Sequence, residues 1–339
     1  TTYNATVQLN YNIFGGFEKY NRYESLLIRS DISDLQTRLT VESTISRIFR
    51  VYLETTRLHE QAEINKEAVE TSRTRHSRIK ARYEFGGATK LEVLNAKVDL
   101  NQDSINWMRT LTDLANNKRT LMVLMGNAPE DDFTVETEFD IEKKIELSEV
   151  MQRALDNNIN LVLAQLQRES ATVGQSIAEA SRYPRLDLSA SYGYSRTENE
   201  AGFIALQENL GLSGSVNLSY TIFGGLQVKR EIENAEVELA KSEENLSYAR
   251  KQVSRDVMNA FETYQNNLFL LNIAEDDVTT ARLNFQRSRE AYQTGQINST
   301  EFRQAQLNLM QAAFRINELK IQAKLSEVEL YRLAGILVQ

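Results

Sequence analysis

The sequence predicts a mainly α-helical protein built by tandem duplication, with long coiled-coil helices attached to a few alternating β-strands. Three observations predict this. Residues 7–16 (Val-Gln-Leu-Asn-Tyr-Asn-Ile-Phe-Gly-Gly) recur at 216–225 as Val-Asn-Leu-Ser-Tyr-Thr-Ile-Phe-Gly-Gly. The same 209-residue offset carries Tyr83 to Tyr292, Gly86 to Gly295, Glu92 to Glu301, Ala96 to Ala305 and Gly126 to Gly335 without a gap, the mark of a repeat architecture. Neither Gly nor Pro interrupts Phe17 to Phe85 or Leu226 to Thr294. A helix filling either stretch is on the order of 100 Å long, a length that belongs to coiled coils, helical repeats or membrane-associated folds. Finally, three segments alternate apolar and polar residues with the period of a strand.

The first strand falls within 1–16. Val7, Leu9, Tyr11 and Ile13 share one face; Gln8, Asn10 and Asn12 share the other. The β-segment 185–225 carries two more. In one, Leu186, Leu188, Ala190, Tyr192 and Tyr194 oppose Asp187, Ser189, Ser191, Gly193 and Ser195. In the other, Val216, Leu218, Tyr220 and Ile222 oppose Asn217, Ser219 and Thr221. Each strand reads as about ten residues, enough to cross a bilayer when tilted. A soluble sheet with one face on a core gives this alternation. So does a membrane β-barrel with apolar residues toward lipid and small polar ones toward a wet lumen. Three or four strands cannot close a barrel, and lipid forbids an open edge, so the membrane reading requires several chains to pool their strands.

The helical hairpins fall at 17–126 and 226–339, with a linking segment and helix at 127–184. Their turns repeat. Tyr83-Glu84-Phe85-Gly86-Gly87-Ala88-Thr89-Lys90-Leu91-Glu92 corresponds to Tyr292-Gln293-Thr294-Gly295-Gln296-Ile297-Asn298-Ser299-Thr300-Glu301. Gly86 and Gly295 suit the left-handed helix stop, and Thr89/Glu92 and Asn298/Glu301 have capping-box spacing. In the last helix, Phe302, Ala305, Leu309, Ala312, Ile316, Leu319, Ala323, Ser326, Leu330 and Leu333 form a heptad seam, apolar except for Ser326. The matching helix of the first copy shows two seams: Leu91, Leu94, Val98, Asn101, Ile105 and Met108, and Trp107, Leu111, Leu114, Leu121 and Met125. Two seams call for two flanking helices, as in a ring or a bundle.

Composition narrows the function. The net charge of −8 argues against nonspecific nucleic-acid binding. The basic run Arg73, Arg75, Arg78, Lys80 and Arg82 reads as a solvated helix face rather than a binding patch. No cysteine is present, which excludes disulfides and thiol chemistry. No run of eighteen apolar residues encodes a transmembrane helix. The chain opens inside a strand with no leader in view, and the repeat predicts a further N-terminal segment like 148–209. No enzyme constellation, cofactor or metal motif is found. His59 and His76 are too far apart for a helical metal pair, Asp131-Asp132 and Asp276-Asp277 lack calcium-loop spacing, and no phosphate-loop pattern follows the Gly-Gly pairs.

These residues resemble the TolC-like outer-membrane factors of Gram-negative bacteria. The resemblance rests on the 183–194 strand Tyr-Pro-Arg-Leu-Asp-Leu-Ser-Ala-Ser-Tyr-Gly-Tyr, the doubled Ile-Phe-Gly-Gly exit, the doubled Tyr-x-x-Gly-x-x-x-x-x-Glu turn and the doubled Leu-x-Gly close at 124–126 and 333–335. It implies a homotrimer with a shared twelve-stranded outer-membrane β-barrel and an α-barrel of antiparallel helices in the periplasm, with 127–184 at its equator. The implied function is passive export of small toxic compounds or polypeptides, as the exit duct of a tripartite efflux pump or type I secretion system. The implied partners are a periplasmic adaptor (membrane fusion) protein, an inner-membrane transporter and outer-membrane lipid. The entrance constriction maps to Glu301 and Gln304, and the adaptor-contacting tips to Gly86, Gly87, Gly295 and Gln296. Because the second constriction position here is an amide, a trimer would present three carboxylates from these sites rather than six. The other class left open is a soluble coiled-coil scaffold or adaptor whose strands form a small capping sheet.

Overall fold

The computed structural model describes residues 1–130, 133–198 and 206–337; Asp131 and Asp132 lie outside them. In order, the elements are β1 (Thr2–Gly15), α1 (Glu18–Glu84), α2 (Lys90–Leu124), α3 (Leu147–Asn157), α4 (Ile159–Ala180), β2 (Arg185–Glu198), β3 (Leu206–Ser219), α5 (Gln227–Thr294) and α6 (Ser299–Leu333). The duplication is visible in these bounds. The 209-residue offset carries Glu18 to Gln227, Lys90 to Ser299 and Leu124 to Leu333, and α2 and α6 each hold 35 residues.

The chain divides into two compact units. The first comprises Thr1–Thr37 and Ile159–Lys251. Its three strands form one antiparallel sheet in the order β1-β2-β3. Each strand has 14 residues, longer than the alternation alone indicated. A bulge between Asn12 and Phe14 makes Ile13 the extra residue and sets Phe14 opposite Leu186. Arg185 pairs with Gly15 on one side and Ser219 on the other. β3 therefore stops at Ser219, and Tyr220 and Ile222, expected inside the strand, lie beyond it. The physical reason is that β2 begins after Pro184, which has no N–H, and offers no ladder further on. The pairing is also staggered: Ser191 faces Gln8 of β1 and Ser213 of β3, whose repeat counterpart is Asn4, a slip of four residues.

At the strand exits, Gly16 and Gly225 have φ of 63° and 61°, and the bulky residues after them, Phe17 and Leu226, are also left-handed at 65° and 66°. Both copies thus spend backbone strain on the same sharp strand-to-helix corner. The Gly16 corner lies against the end of α4, where an added Cβ would fall 2.6 Å from the Ala180 carbonyl oxygen. Glu18, at the start of α1, pairs with Arg185 at 2.6 Å. The apolar interior of this unit lies among the helices, at Ile28, Leu161, Val173 and Ile232.

The second unit comprises Arg38–Asn158 and Gln252–Gln339. Its core runs along the heptad seams. Phe302, Ala305, Ala312, Ala323, Ser326, Leu330 and Leu333 of the α6 seam are buried, as its 3-4 spacing predicts. Polar side chains cross-link the helices at intervals: Asn65 to Thr110 at 2.9 Å, Asn117 to Thr55 at 2.7 Å, and Asn267 to Ser326 at 3.3 Å. Such buried pairs cost desolvation but disfavour any register that would leave them unsatisfied. The 133–146 segment is held against α5 and α6. Lys324 donates to the Asp140 carbonyl at 2.8 Å, Glu327 accepts from the Glu142 amide at 3.1 Å, and the Tyr264 hydroxyl donates to the Glu142 carbonyl. Burial, with Glu327 and Glu142 nearby, pushes the Tyr264 hydroxyl up to about 12.

Candidate functional site

The sheet is the first candidate surface. Pairing places Ala5, Val7, Leu9 and Tyr11 of β1 across from Tyr194, Tyr192, Ala190 and Leu188 of β2. These in turn face Leu210, Leu212, Gly214 and Val216 of β3, with Leu186 across from Leu218. One face is therefore apolar and aromatic along these positions, and charged only at its far end, where Arg196, Glu198 and Glu208 follow on the same side. The other carries Gln8, Asn10 and Asn12, the serines of β2 and β3, and glycines. Ser189 and Ser215 lie 2.7 Å apart, Ser191 and Ser213 2.9 Å, and Asn12 donates to Asp187 at 2.8 Å. Neither face is a core. Val7 is 75% exposed, Leu212 78% and Val216 65%, while Leu186 and Leu188 are half-buried by their strand neighbours. Tyr11, Tyr192 and Tyr194 remain exposed as well, and so do Tyr220 and Ile222 beyond β3. A soluble sheet alternates because helices cover its apolar side; here the chain's own helices leave that side bare.

The hairpin turns are the second. α1 ends with the Gly86 amide bonded to the Tyr83 carbonyl and the Gly87 amide to the Arg82 carbonyl; α5 ends identically through Gly295 to Tyr292 and Gln296 to Ala291. These are Schellman stops, and the φ of 73° at Gly86 and 79° at Gly295 explains the glycines. Both following helices begin on complete capping boxes, Thr89/Glu92 and Asn298/Glu301. The backbone hydrogen bond from Thr89, followed by its side chain, holds the Glu92 carboxyl below the usual range. Gly86, Gly87, Gly295 and Gln296 are all exposed. Phe85 beside them, not singled out by the sequence reading, is 91% exposed. A large apolar side chain directly before the Gly86-Gly87 stop was the available clue.

Glu301 and Gln304 stand three residues apart on the first two turns of α6, both exposed. Glu301 accepts from the Asn298 amide at 2.8 Å, and Gln304 donates to Asn308 at 2.9 Å. Within one chain both are satisfied by their own helix. Directly behind them is a buried network that the sequence reading missed. Asp103 of α2 receives both Arg303 guanidinium nitrogens at 2.7 and 2.8 Å and the Ser72 hydroxyl at 2.5 Å. Arg75 is likewise no solvated residue: it is 3% exposed, pairs with Asp99 and reaches the Ser299 carbonyl at 3.4 Å. The basic run is therefore not one helix face; Arg75 turns inward while Arg73 pairs with Glu70 at the surface.

The α2 helix carries a third feature. Its Leu114 and Leu121 are buried, whereas Leu91, Leu94, Val98, Ile105 and Met108 are exposed. Of the two expected seams, the second is covered by this chain along Trp107 to Leu121, with only its last member Met125 exposed, and the first is open.

The sequence pattern of the outer membrane efflux protein family matches residues 1–127 and 150–336, nearly the whole chain. The chain belongs to the outer membrane efflux protein family. Its location is the outer membrane of a Gram-negative bacterium, with a large periplasmic helical part. Among relatives, the outer membrane protein TolC of Escherichia coli K12 is 23% identical over 263 residues, covering 72% of this chain and 53% of that protein. The TolC of Vibrio cholerae is 20% identical over 308 residues, covering 90% and 70%. The chain thus spans about half the length of the Escherichia coli relative. Among solved structures, the outer membrane protein VceC of Vibrio cholerae superposes with a TM-score of 0.80 at 17% identity, over 98% of this chain and 79% of that one. At that identity the likeness concerns the fold.

Proposed function

We propose that this family member is one stave of a homotrimeric exit duct, conducting small toxic compounds or polypeptides passively as part of a tripartite efflux pump or type I secretion system. One observation carries the reading: a tyrosine-bearing apolar sheet face that the chain's own helices do not cover, backed by a face of serine, asparagine and glycine. Lipid on one side and water on the other satisfy both. Among the described residues the outer edges of β1 and β3 have no strand partner, and lipid tolerates no open edge, so copies must complete one another. The open α2 seam would then meet a helix of the next copy.

In this assembly Val7, Leu9, Tyr11, Leu186, Leu188, Tyr192, Tyr194, Val216 and Leu218 face lipid. The tips at Gly86, Gly87, Gly295 and Gln296 receive a periplasmic adaptor coupled to an inner-membrane transporter. Glu301 and Gln304 of three copies converge at the entrance as a ring of three carboxylates. No step is catalytic. The test is purification in detergent followed by reconstitution in planar bilayers. The expected result is an SDS-resistant trimer with discrete conductance that multivalent cations block, and block that weakens in Glu301→Gln. A monomer recovered from the aqueous fraction would overturn the reading.

A further inference from the structure

A cavity of about 350 Å³ lies between α1 and α5 behind the hairpin turns, lined among others by Arg75, Arg78, Arg289, Tyr292, Glu67 and Glu70. Two of these side chains hold buried polar atoms with no hydrogen-bond partner: Nε of Arg75 and the hydroxyl of Tyr292. Both residues are more than nine-tenths buried. Buried polar groups are nearly always satisfied, so two orphans lining one cavity indicate a missing partner.

Both orphans are held in place. The terminal nitrogens of Arg75 are engaged by Asp99 and the Ser299 carbonyl. The Tyr292 ring stacks on Phe302 at 4.8 Å, and Arg78 lies 5.8 Å from its centroid. Arg289 sits 4.7 Å from the Phe285 centroid, and neither Arg78 nor Arg289 forms an ion pair among the described residues. The local acids do not answer them. Glu70 is paired with Arg73 at 2.7 Å, and Glu67, which also lines the cavity, forms no ion pair with either arginine among the described residues.

We propose that this cavity binds a compact dissolved oxyanion, a phosphate or a small carboxylate. The guanidinium groups of Arg78 and Arg289 receive its charge, and the Arg75 Nε–H and Tyr292 O–H complete its hydrogen bonds, the geometry in which arginine favours such groups. The other copy serves as an internal control. The counterparts of Arg75 and Tyr292 are Asn284, which has no guanidinium, and Tyr83, which is 41% exposed with Lys90 over its ring. The combination of these four side chains is not repeated at the counterpart positions, and the site does not depend on the duct reading.

Titration calorimetry on the purified chain, with inorganic phosphate in one arm and acetate in the other, tests it. Saturable binding of at least one anion is expected, and the stronger arm assigns the class. Because Arg78 and Arg289 are exposed, Arg78→Gln with Arg289→Gln should leave the melting temperature unchanged and weaken binding about tenfold or more. Tyr292→Phe should weaken it severalfold, and Arg287→Gln, outside the cavity, should not. Absence of saturable binding in both arms, or binding that survives the double substitution, would overturn the proposal.

Discussion

At Gly335 an added Cβ would fall 2.5 Å from the Asn157 carbonyl oxygen; at Gly126, its counterpart in the first copy, nothing lies within 4 Å. The same contrast runs the other way at the strand exits, where Gly16 is closed by Ala180 and Gly225 is open. The backbone conformation is nonetheless the same in each pair, with φ of 70° and 78° at the helix ends. α6 buries twelve side chains and α2 only seven, although they share their length and their cap. Stop and start signals act on their own few residues, so duplication copies them faithfully. Packing depends on what lies next to each copy, and duplication does not copy that. Positions closed in one copy and open in the other therefore mark surfaces for which a single chain supplies no neighbour.

The largest test of this contrast is the Ser72–Asp103–Arg303 network, whose counterparts in the other copy are Ala281, Ala312 and Leu94. Asp103→Ala alone leaves a nearly buried guanidinium unpaired and should cost about 3–5 kcal/mol. Asp103→Ala with Arg303→Leu, which installs the residue types of the other copy, should recover most of that loss in denaturant unfolding. If the double variant is as unstable as the single one, the network is no optional addition to a shared apolar scaffold. Next in size, Gly335→Ala should cost roughly 3 kcal/mol, from a left-handed alanine at about 1–2 plus overlap with the Asn157 backbone. Gly126→Ala should cost only the first part, and equal losses at both sites would break the comparison.

The smallest effect concerns Glu42, 3% exposed, whose counterpart Lys251 is solvated. Burial, with a lesser push from Glu329, raises the Glu42 carboxyl above its ordinary 4.5 despite Arg332 and Arg38. Because the folded state holds this proton more tightly than the unfolded one, its ionisation destabilises. That cost is absent below the unfolded value and grows as pH rises through the folded one. Glu42→Gln should therefore leave the melting temperature unchanged at pH 4 and raise it slightly at pH 8. A loss at pH 8 would mean that the two arginines outweigh burial.

The repeat, the two turns and the strand alternation were legible because each is local: Gly86 and Gly295, Thr89/Glu92 and Asn298/Glu301, and the period-two tyrosines need no distant partner. What stayed hidden was non-local. Arg75 looks like its surface neighbours until Asp99 is placed opposite, and Asp103 meets Arg303 across 200 residues of sequence. The end of β3 at Ser219 follows from where β2 starts, and the bulge at Ile13 from pairing with β2, neither of which an isolated strand reveals. Glu301 was legible as a cap because its partner Asn298 is three residues away.

The four-residue slip across the sheet carries a consequence of its own. It amounts to about 13 Å of travel along the strands for two strand spacings of about 4.8 Å each, so the sheet climbs like the thread of a screw. When threaded ribbons close on themselves, pitch and circumference are tied together. The bore of a pipe assembled from such ribbons would be fixed by which amide meets which carbonyl, before any lumen side chain has a say. In such a pipe, selection on cargo size would act through backbone register, while the serines and asparagines would set only how wet the passage is.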